Sequence, residues 1–309
     1  MSLDDLGIVG DYEVRELGID GDIIVYQPCC IFNEDDDFSR KQIAKYIDQK
    51  INRMMADANC DEYTMFLTTK FNFRDDLVDD YKANRKDIER PVNLAWAKRY
   101  AMQQLNAVLH KGLEADDLLG IWMTEKPGRI LWSLDKDLRQ IPGKHLDDET
   151  RKVVTIDYRG QLTDRGKKVY FTGMLGFYYQ LLIGDSTDHI IGCGKREKTV
   201  YKSGAKKGQS YLKRKGIGPK AALKILNNAD NGSENLQPCL DAVIAEYKSI
   251  HGDNWQSHLE TQANLLWMVR EQRGEIIRRW TFDDREEYFN LVDKVVLHDI
   301  DTTAKTVAG

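Results

Sequence analysis

The chain has 309 residues, 41% hydrophobic and 31% charged, with a formal net charge of −5 and five cysteines. That length allows one large domain or two smaller ones with a sizeable core, and the balance of charge excludes a global basic field. No apolar run approaches the ~18 residues of a membrane helix; no secretory signal and no CxxC pair is read, which points to a soluble chain of a reducing, cytoplasmic compartment.

In chain order, "EVRELGID" (13–20) predicts a strand and "RKQIAKYIDQKINRMM" (40–55) a helix. "YTMFLTT" (63–69) predicts a second strand and "NLAWAKRYAMQQLNAVLH" (93–110) a long helix. "DDLLGIWMTE" continues helical, "RILWSLD" (129–135) predicts a third strand and "KVVTID" (152–157) a fourth. This alternation predicts an α/β fold with a mostly parallel central sheet flanked by helices. From about residue 167 the pattern turns mainly helical. A mixed-charge stretch at 70–92 and a basic one at 195–215 interrupt it.

Acids collect at the predicted strand ends. Asp20 ends the first strand in "IDGD", and Asp135 ends the third in "SLDKD", with Asp137 two residues on. The carboxyl ends of parallel strands form the crevice where ligands bind, so acids there from separate strands converge. "GLEADDLLG" (112–120) crowds Glu114, Asp116 and Asp117 ahead of an apolar helical pattern, and Asp185 and Asp188 stand in "GDSTDHIIG". Each has an ordinary alternative: a turn at Asp20, a helix start at 114–117, a cap at Asp185. Together they would raise one another's pKa, and no Lys/Arg set of matching number flanks them along the chain. Hard divalent cations, which prefer oxygen ligands, balance such a cluster; no His/Cys grouping has zinc spacing. Two metals held about 4 Å apart by carboxylates suit in-line phosphoryl chemistry.

The order "IDGD", "YKANRK", "EADD", "SLDKD", "GDSTDHIIG" and "GIGPKAALKIL" resembles the 5′-nuclease family of flap endonucleases and 5′→3′ exonucleases, and its phage members most closely, over residues 15 to 230 or so. The resemblance implies a PIN-like α/β nuclease core over 1–183 with a helical arch at about 70–92. It implies a second part, 184–309, a C-terminal helical region with a helix–three-turn–helix DNA-binding element and the basic insert 195–215. The implied activity is two-metal hydrolysis of DNA phosphodiester bonds from or near 5′ ends, of the kind used in replication. Mg2+ (two ions, with Mn2+ as a substitute) and a K+ at the helix–three-turn–helix are the implied cofactors. DNA with 5′ ends or 5′ flaps is the implied partner, with no membrane, in the host cytoplasm if phage-encoded.

Carried over by motif, Asp20, Glu114, Asp116, Asp117, Asp135, Asp137, Asp185 and Asp188 form the implied metal shell, while Asp22 is left out of it. Family members carry an Asp at the end of the second strand, where this chain has Thr68 and Thr69, which implies a weakened site. In "YKANRK", Lys82 and Arg85 match residues that reach the scissile phosphate, a point charge and a bidentate clamp; Tyr81 and Lys86 are the implied DNA contacts beside them. A solvated mixed-charge helix is the ordinary reading of 75–92, since six acids accompany its bases. Gly216, Gly218 and Lys220 belong to "KGIGPKAALKIL", a turn and helix start suited to holding a duplex phosphate. Residues 195–215 hold nine Lys/Arg against one Glu; Lys206, Lys207, Lys213, Arg214 and Lys215 are read as DNA-backbone contacts, the alternative being a solvated loop. Two other functions compete. "IDGD" and "GDSTD" also resemble motifs of haloacid-dehalogenase-type phosphatases, and Thr69 would suit a DNA-binding module with a weakened active site.

Overall fold

The computed structural model describes residues 14–85, 88–205, 207–273 and 276–282. Six strands, β1 (Glu16–Asp20), β2 (Glu62–Leu67), β3 (Val108–Leu109), β4 (Ile130–Trp132), β5 (Gly143–Asp147) and β6 (Lys152–Ile156), form the central sheet in the order β3-β2-β1-β4-β5-β6. All neighbours run parallel except β5 and β6. The sheet is flanked by helices, so the α/β class predicted from the alternation is the one observed.

Strand alternation decides what covers each face. Leu17 and Ile19 of β1 are buried with Ile43, Ile47, Ile51 and Met54, the single-face stripe of α2 (Asp37–Ala58). Helices α1 (Gly21–Ile31) and α3 (Leu94–Gln104) complete that layer. Each such buried side chain contributes roughly 1.5–3 kcal/mol. Gly18 faces the other way, under α4 (Ala115–Glu125). A Cβ on Gly18 would stand 2.5 Å from the Trp122 ring, so only glycine lets α4 lie this close to β1. Asp20 shares that face by the period of two. The close approach therefore brings the start of α4 to the end of β1.

The C-terminal half surrounds α5 (Gly173–Ile183), buried over nearly its whole circumference as its unbroken apolar sequence requires. Phe177 and Leu181 of α5 pack with Leu226 of α6 (Pro219–Ala229), Val243 of α7 (Gln237–His251) and Leu259 of α8 (Trp255–Leu266). Two antiparallel hairpins project from this half: β7 (Leu162–Asp164) with β8 (Val169–Phe171), and β9 (Gly194–Val200) with β10 (Ser210–Gly216). Among the described residues no helix is long and apolar enough to cross a membrane.

Several elements differ from the sequence prediction. The helix predicted to 110 stops at Gln104; Asn106 takes a left-handed φ of 52° and turns the chain so that Val108–Leu109 pairs with β2. Strand β6 exists but runs antiparallel, because the unpredicted β5 precedes it by a short turn. No α-helical arch occurs among the described residues of 70–92. The chain makes two 3-10 turns there, Phe73–Asp76 and Ala83–Arg85, because Phe73, Arg74 and Tyr81 are buried in the body and fix the segment against it. The basic stretch 195–215 is a β-hairpin rather than a loop.

Candidate active site

The acids reach one cleft from separate elements. Asp20 ends β1, and α1 begins at the next residue with no loop between. Its carboxylate does not cap α1 but accepts from Ser133 Oγ at 2.7 Å, just past β4. The same Ser133 Oγ accepts from Asp135 N at 2.9 Å, and Asp135 Oδ1 accepts from Asp137 N at 2.9 Å, so the "SLDKD" turn is held by its own side chains. Glu114 is the N-cap of α4, and Asp116 and Asp117 lie in its first turn. Thr68, directly after β2, accepts from Ala115 N at 2.9 Å and docks the start of α4 on the strand end. Asp185 follows α5 and is fixed by a bridge to Ile190 and by Thr187 N on Oδ1 at 2.6 Å.

Most of these acids have found bases, brought in from distant segments except where Lys136 meets its neighbour Asp137. The buried Arg74 grips Asp117 in a fork, Nη1 to Oδ2 at 2.7 Å and Nη2 to Oδ1 at 2.8 Å. Asp117 also accepts from Glu114 N and Val269 N. That occupies both of its oxygens with protein donors, so Asp117 ties α4 to the body and is not free to serve as the ligand predicted for it. Glu114 accepts from Tyr81 Oη at 2.8 Å and pairs with Lys82. Burial raises its pKa, but Lys82 and Arg74 outweigh burial and hold it below the usual value. Asp188 pairs with Arg85 and stands 3.5 Å from Lys82 Nζ; burial outweighs both cations and raises its pKa. Lys136 bridges Asp137, at 3.0 Å, and Asp185.

Asp20, Asp116 and Asp135 are different. Among the described residues none of the three has an ion pair. Desolvation, then Asp22 and Asp135, push Asp20 up to about 7. Desolvation followed by Asp20, Asp135 and Glu114 raises Asp116 well above the carboxylate range. Asp137, beside them, is pushed to about 7 by burial and by Asp135, despite Lys136 and a 2.6 Å hydrogen bond from Gln180 Nε2. Asp22 is committed elsewhere, to Lys98 at 2.8 Å and Thr68 N at 3.0 Å. Among the described residues no three His, Cys, Asp or Glu side chains converge into a preassembled metal cage. The donor chemistry nevertheless fits a hard divalent cation, because Asp20, Asp116 and Asp135 are oxygen donors without an ion pair, near enough that Asp135 raises the pKa of both Asp20 and Asp116.

The residues predicted to handle DNA divide. Lys82 and Arg85 do sit at the rim of the acidic cleft. Burial would lower the Lys82 pKa, but Glu114 and Asp188 raise it, so it stays cationic. Tyr81 is buried at 6% exposure with its hydroxyl on Glu114, which leaves it no surface for the DNA contact predicted. Thr69 turns its hydroxyl to Phe71 O. On the hairpin, Lys213 and Lys215 are exposed, as is Lys207 in its turn. Arg214 is not available: it donates to Ile191 O at 2.7 Å and to Leu182 O and Ile217 O at 3.3 Å, and desolvation lowers its pKa. Lys86 and Lys206 lie outside the described residues. Gly216 closes the hairpin, where a Cβ would come within 2.8 Å of Cys193 O and Gly194 Cα. Gly218 caps α6 with Pro219 at the first helical position, and Lys220 is exposed beside it. Gly218 and Lys220 line a cleft of about 520 Å³ together with Lys167 and Lys168 of the β7–β8 turn.

Sequence reasoning missed Arg74, Ser133, Lys136 and Gln180. Two of them carry a readable signal: Gln180 is the one amide in the apolar helix "GMLGFYYQLLI", and Lys136 stands between two acids already under suspicion. Arg74 and Ser133 carry none, because their partners are remote in the chain.

No protein-family model and no curated protein matches the chain. Among solved structures it is similar to a bacteriophage T5 protein co-crystallised with metal ions, at 12% identity and TM-score 0.47 over 81% of this chain and 99% of that one. It is similar to a bacteriophage T5 flap endonuclease variant in a complex with DNA and metal ions, at 13% identity and TM-score 0.46 over 82% and 99%. A T5 5′-exonuclease variant gives 12% identity and TM-score 0.44 over 82% and 100%.

Proposed function

We propose that the protein is a metal-dependent 5′-nuclease that hydrolyses DNA phosphodiester bonds from or near 5′ ends. The observation that carries the reading is the triad Asp20, Asp116 and Asp135: three carboxylates from three elements, without a basic partner, at the carboxyl end of a parallel sheet. We assign the binding of Mg2+, or Mn2+ in its place, to these three, with Asp137, Asp185 and Asp188 as further candidate donors that already hold ion pairs. Divalent cations held there would supply charge neutralisation and activate a water for attack. Lys82 and Arg85 then act on the DNA. Their present partners, Glu114 and Asp188, hold them as cations at the rim, where a phosphate can compete for them. Lys82 stabilises the charge that develops on the reacting phosphate, and Arg85 orients it. Asp117 keeps a structural role through Arg74. Lys213, Lys215, Gly218 and Lys220 would hold the duplex backbone away from the cut.

The phosphatase alternative requires a free second acid after Asp20, and the engagement of Asp22 with Lys98 weighs against it. A gel assay with Mg2+ on 5′-labelled duplex, flap and single-stranded DNA tests the proposal. Short labelled products from the 5′ end are expected. An intact DNA ladder alongside hydrolysis of a small phosphate ester would overturn it.

A further inference from the structure

The β9–β10 hairpin has two faces with different work. Its register sets Arg196 opposite Arg214, Lys195 opposite Lys215 and Glu197 opposite Lys213. By alternation the two arginines share one face and the lysines the other. Lys195, Lys213 and Lys215 are exposed. Arg214 is spent on the carbonyls of Leu182, Ile191 and Ile217, which anchors the hairpin's base. Arg196 reaches in a different direction. Its guanidinium pairs with Asp80 and donates to His189 O at 3.2 Å.

Asp80 lies two residues before Lys82, and the connection continues. His189 Nδ1 is 3.0 Å from Asp80 O, Lys82 N donates to Asp188 O at 3.0 Å, and Asn84 Nδ2 donates to Thr187 O at 3.1 Å. The turn that carries Lys82 and Arg85 is thus laid on the 185–189 loop, with Arg196 touching both strands of the join. Lys82 has φ 51° and His189 φ 64°. Side chains other than glycine seldom adopt this left-handed backbone, and it persists where neighbours over-determine it.

We propose that Arg196 and Asp80 are positioning residues that couple the seating of duplex DNA on the hairpin to the placement of Lys82 over the acidic cleft. The proposal rests on the nuclease reading. A backbone phosphate held by Lys195, Lys213 and Lys215 fixes the hairpin, and the Arg196–Asp80 pair passes that constraint to the turn. Neither residue touches the reacting phosphate. Their whole effect runs through Lys82.

The test measures single-turnover cleavage at saturating duplex and, separately, the Kd for DNA without divalent cation. It uses wild type, Arg196→Gln, Asp80→Asn, Lys82→Ala and the Asp80→Asn/Lys82→Ala double variant. A misplaced catalytic group costs on the order of 10- to 100-fold in rate; Arg196→Gln and Asp80→Asn are expected to show such losses, with Kd changed by about twofold or less on that scale. In the Lys82→Ala background Asp80→Asn should add almost nothing, since residues acting as a unit are not additive. The reversed pair, Asp80→Arg with Arg196→Asp, should recover part of the lost rate, which also guards against a fold lost in a single variant. Additive losses, losses confined to Kd, or a reversed pair no better than its singles would overturn the coupling. A wild type that cleaves none of the DNA overturns the nuclease reading and the coupling with it, whereas cleavage with additive losses overturns the coupling alone.

Discussion

The acidic cleft carries two sets of the same kind of residue, one without ion pairs among the described residues and one with them. On one side Asp20, Asp116 and Asp135 face each other without a base, and Asp20 and Asp116 hold their protons far above the usual range. On the other, Asp137 and Asp185 share Lys136, while Asp188 and Glu114 hold Arg85 and Lys82. The first side lacks an ion-paired base, and under the proposed function cations from solution would supply the missing charge. The second is ion-paired, although burial still raises Asp137 and Asp188, so anything that binds there must displace a lysine or arginine. Affinity on the two sides should therefore differ, and the movable cations of the second side are the ones free to meet a phosphate.

The sharpest way to break this contrast is to neutralise one acid on each side. Asp135→Asn is expected to cut turnover by orders of magnitude while DNA binding, read by fluorescence anisotropy, stays close to wild type. Asp137→Asn, on the ion-paired side, should cost less. Equal losses would mean that the two sides are not distinct.

Next comes the displaced cation itself. Lys82→Ala should remove about 3–4 kcal/mol of transition-state stabilisation, seen as a fall in single-turnover rate at saturating DNA. Equal loss of binding would place Lys82 on the ground-state duplex instead.

The charge deficit also predicts a pH-dependent stability in metal-free buffer. The folded-state pKa of Asp20 is raised from 3.8 to about 7. A raised pKa contributes stability below the unfolded value that is lost as pH climbs through the folded value. Asp20→Asn, which mimics the protonated acid, should match wild type near and below pH 4, become progressively the more stable protein as pH climbs towards 7, and keep a level advantage above it. The gain is of the order of a few kcal/mol, and Mg2+ should shrink it by stabilising wild type alone. Thermal melts of both proteins across that range, with and without Mg2+, check it. A constant difference would show that Asp20 does not titrate in this window.

On the ion-paired side, Lys136→Gln leaves Asp137 and Asp185 without their shared base. The Mg2+ needed for half-maximal rate should fall by about tenfold, roughly 1.4 kcal/mol. Superimposable metal titrations would mean that these acids take no cation. The smallest effect is expected from Thr68→Ala. It removes the hydroxyl that caps α4, at a cost of about 1 kcal/mol, and should lower the melting temperature with little change in Mg2+ dependence.

Much of the sheet was legible because its signals are local. The period-two run of β1 and the stripe Ile43, Ile47, Ile51 and Met54 of α2 specify their own faces. Short elements were not. β3 has two residues, and β5, "GKHLD", has little apolar content to mark it. The segment 70–92 misled for a different reason: its charges suggested a solvated or arching helix, but the buried Arg74 and Tyr81 nail it to the body. The hairpin at 194–216 hid behind its composition, since a run of bases carries no apolar alternation even when it pairs as strands.

The sequence by itself marked a set of acids to be brought near one another, Asp117 wrongly counted among the free ones. Their places at predicted strand ends and in one helix start made convergence a consequence of parallel-sheet geometry. Only the tertiary structure decided which of them would stay unpaired. Arg74 lies 43 residues from Asp117, Lys82 32 from Glu114, Lys136 49 from Asp185 and Arg85 103 from Asp188. Pairing across such distances depends on how layers pack, and ion pairs leave no period in the chain. Asp117 and Asp116 are adjacent in sequence, yet successive positions on a helix point about 100° apart. One therefore turns into the body to meet a guanidinium, and the other has no ion pair among the described residues, with Lys82 acting on it only from a distance.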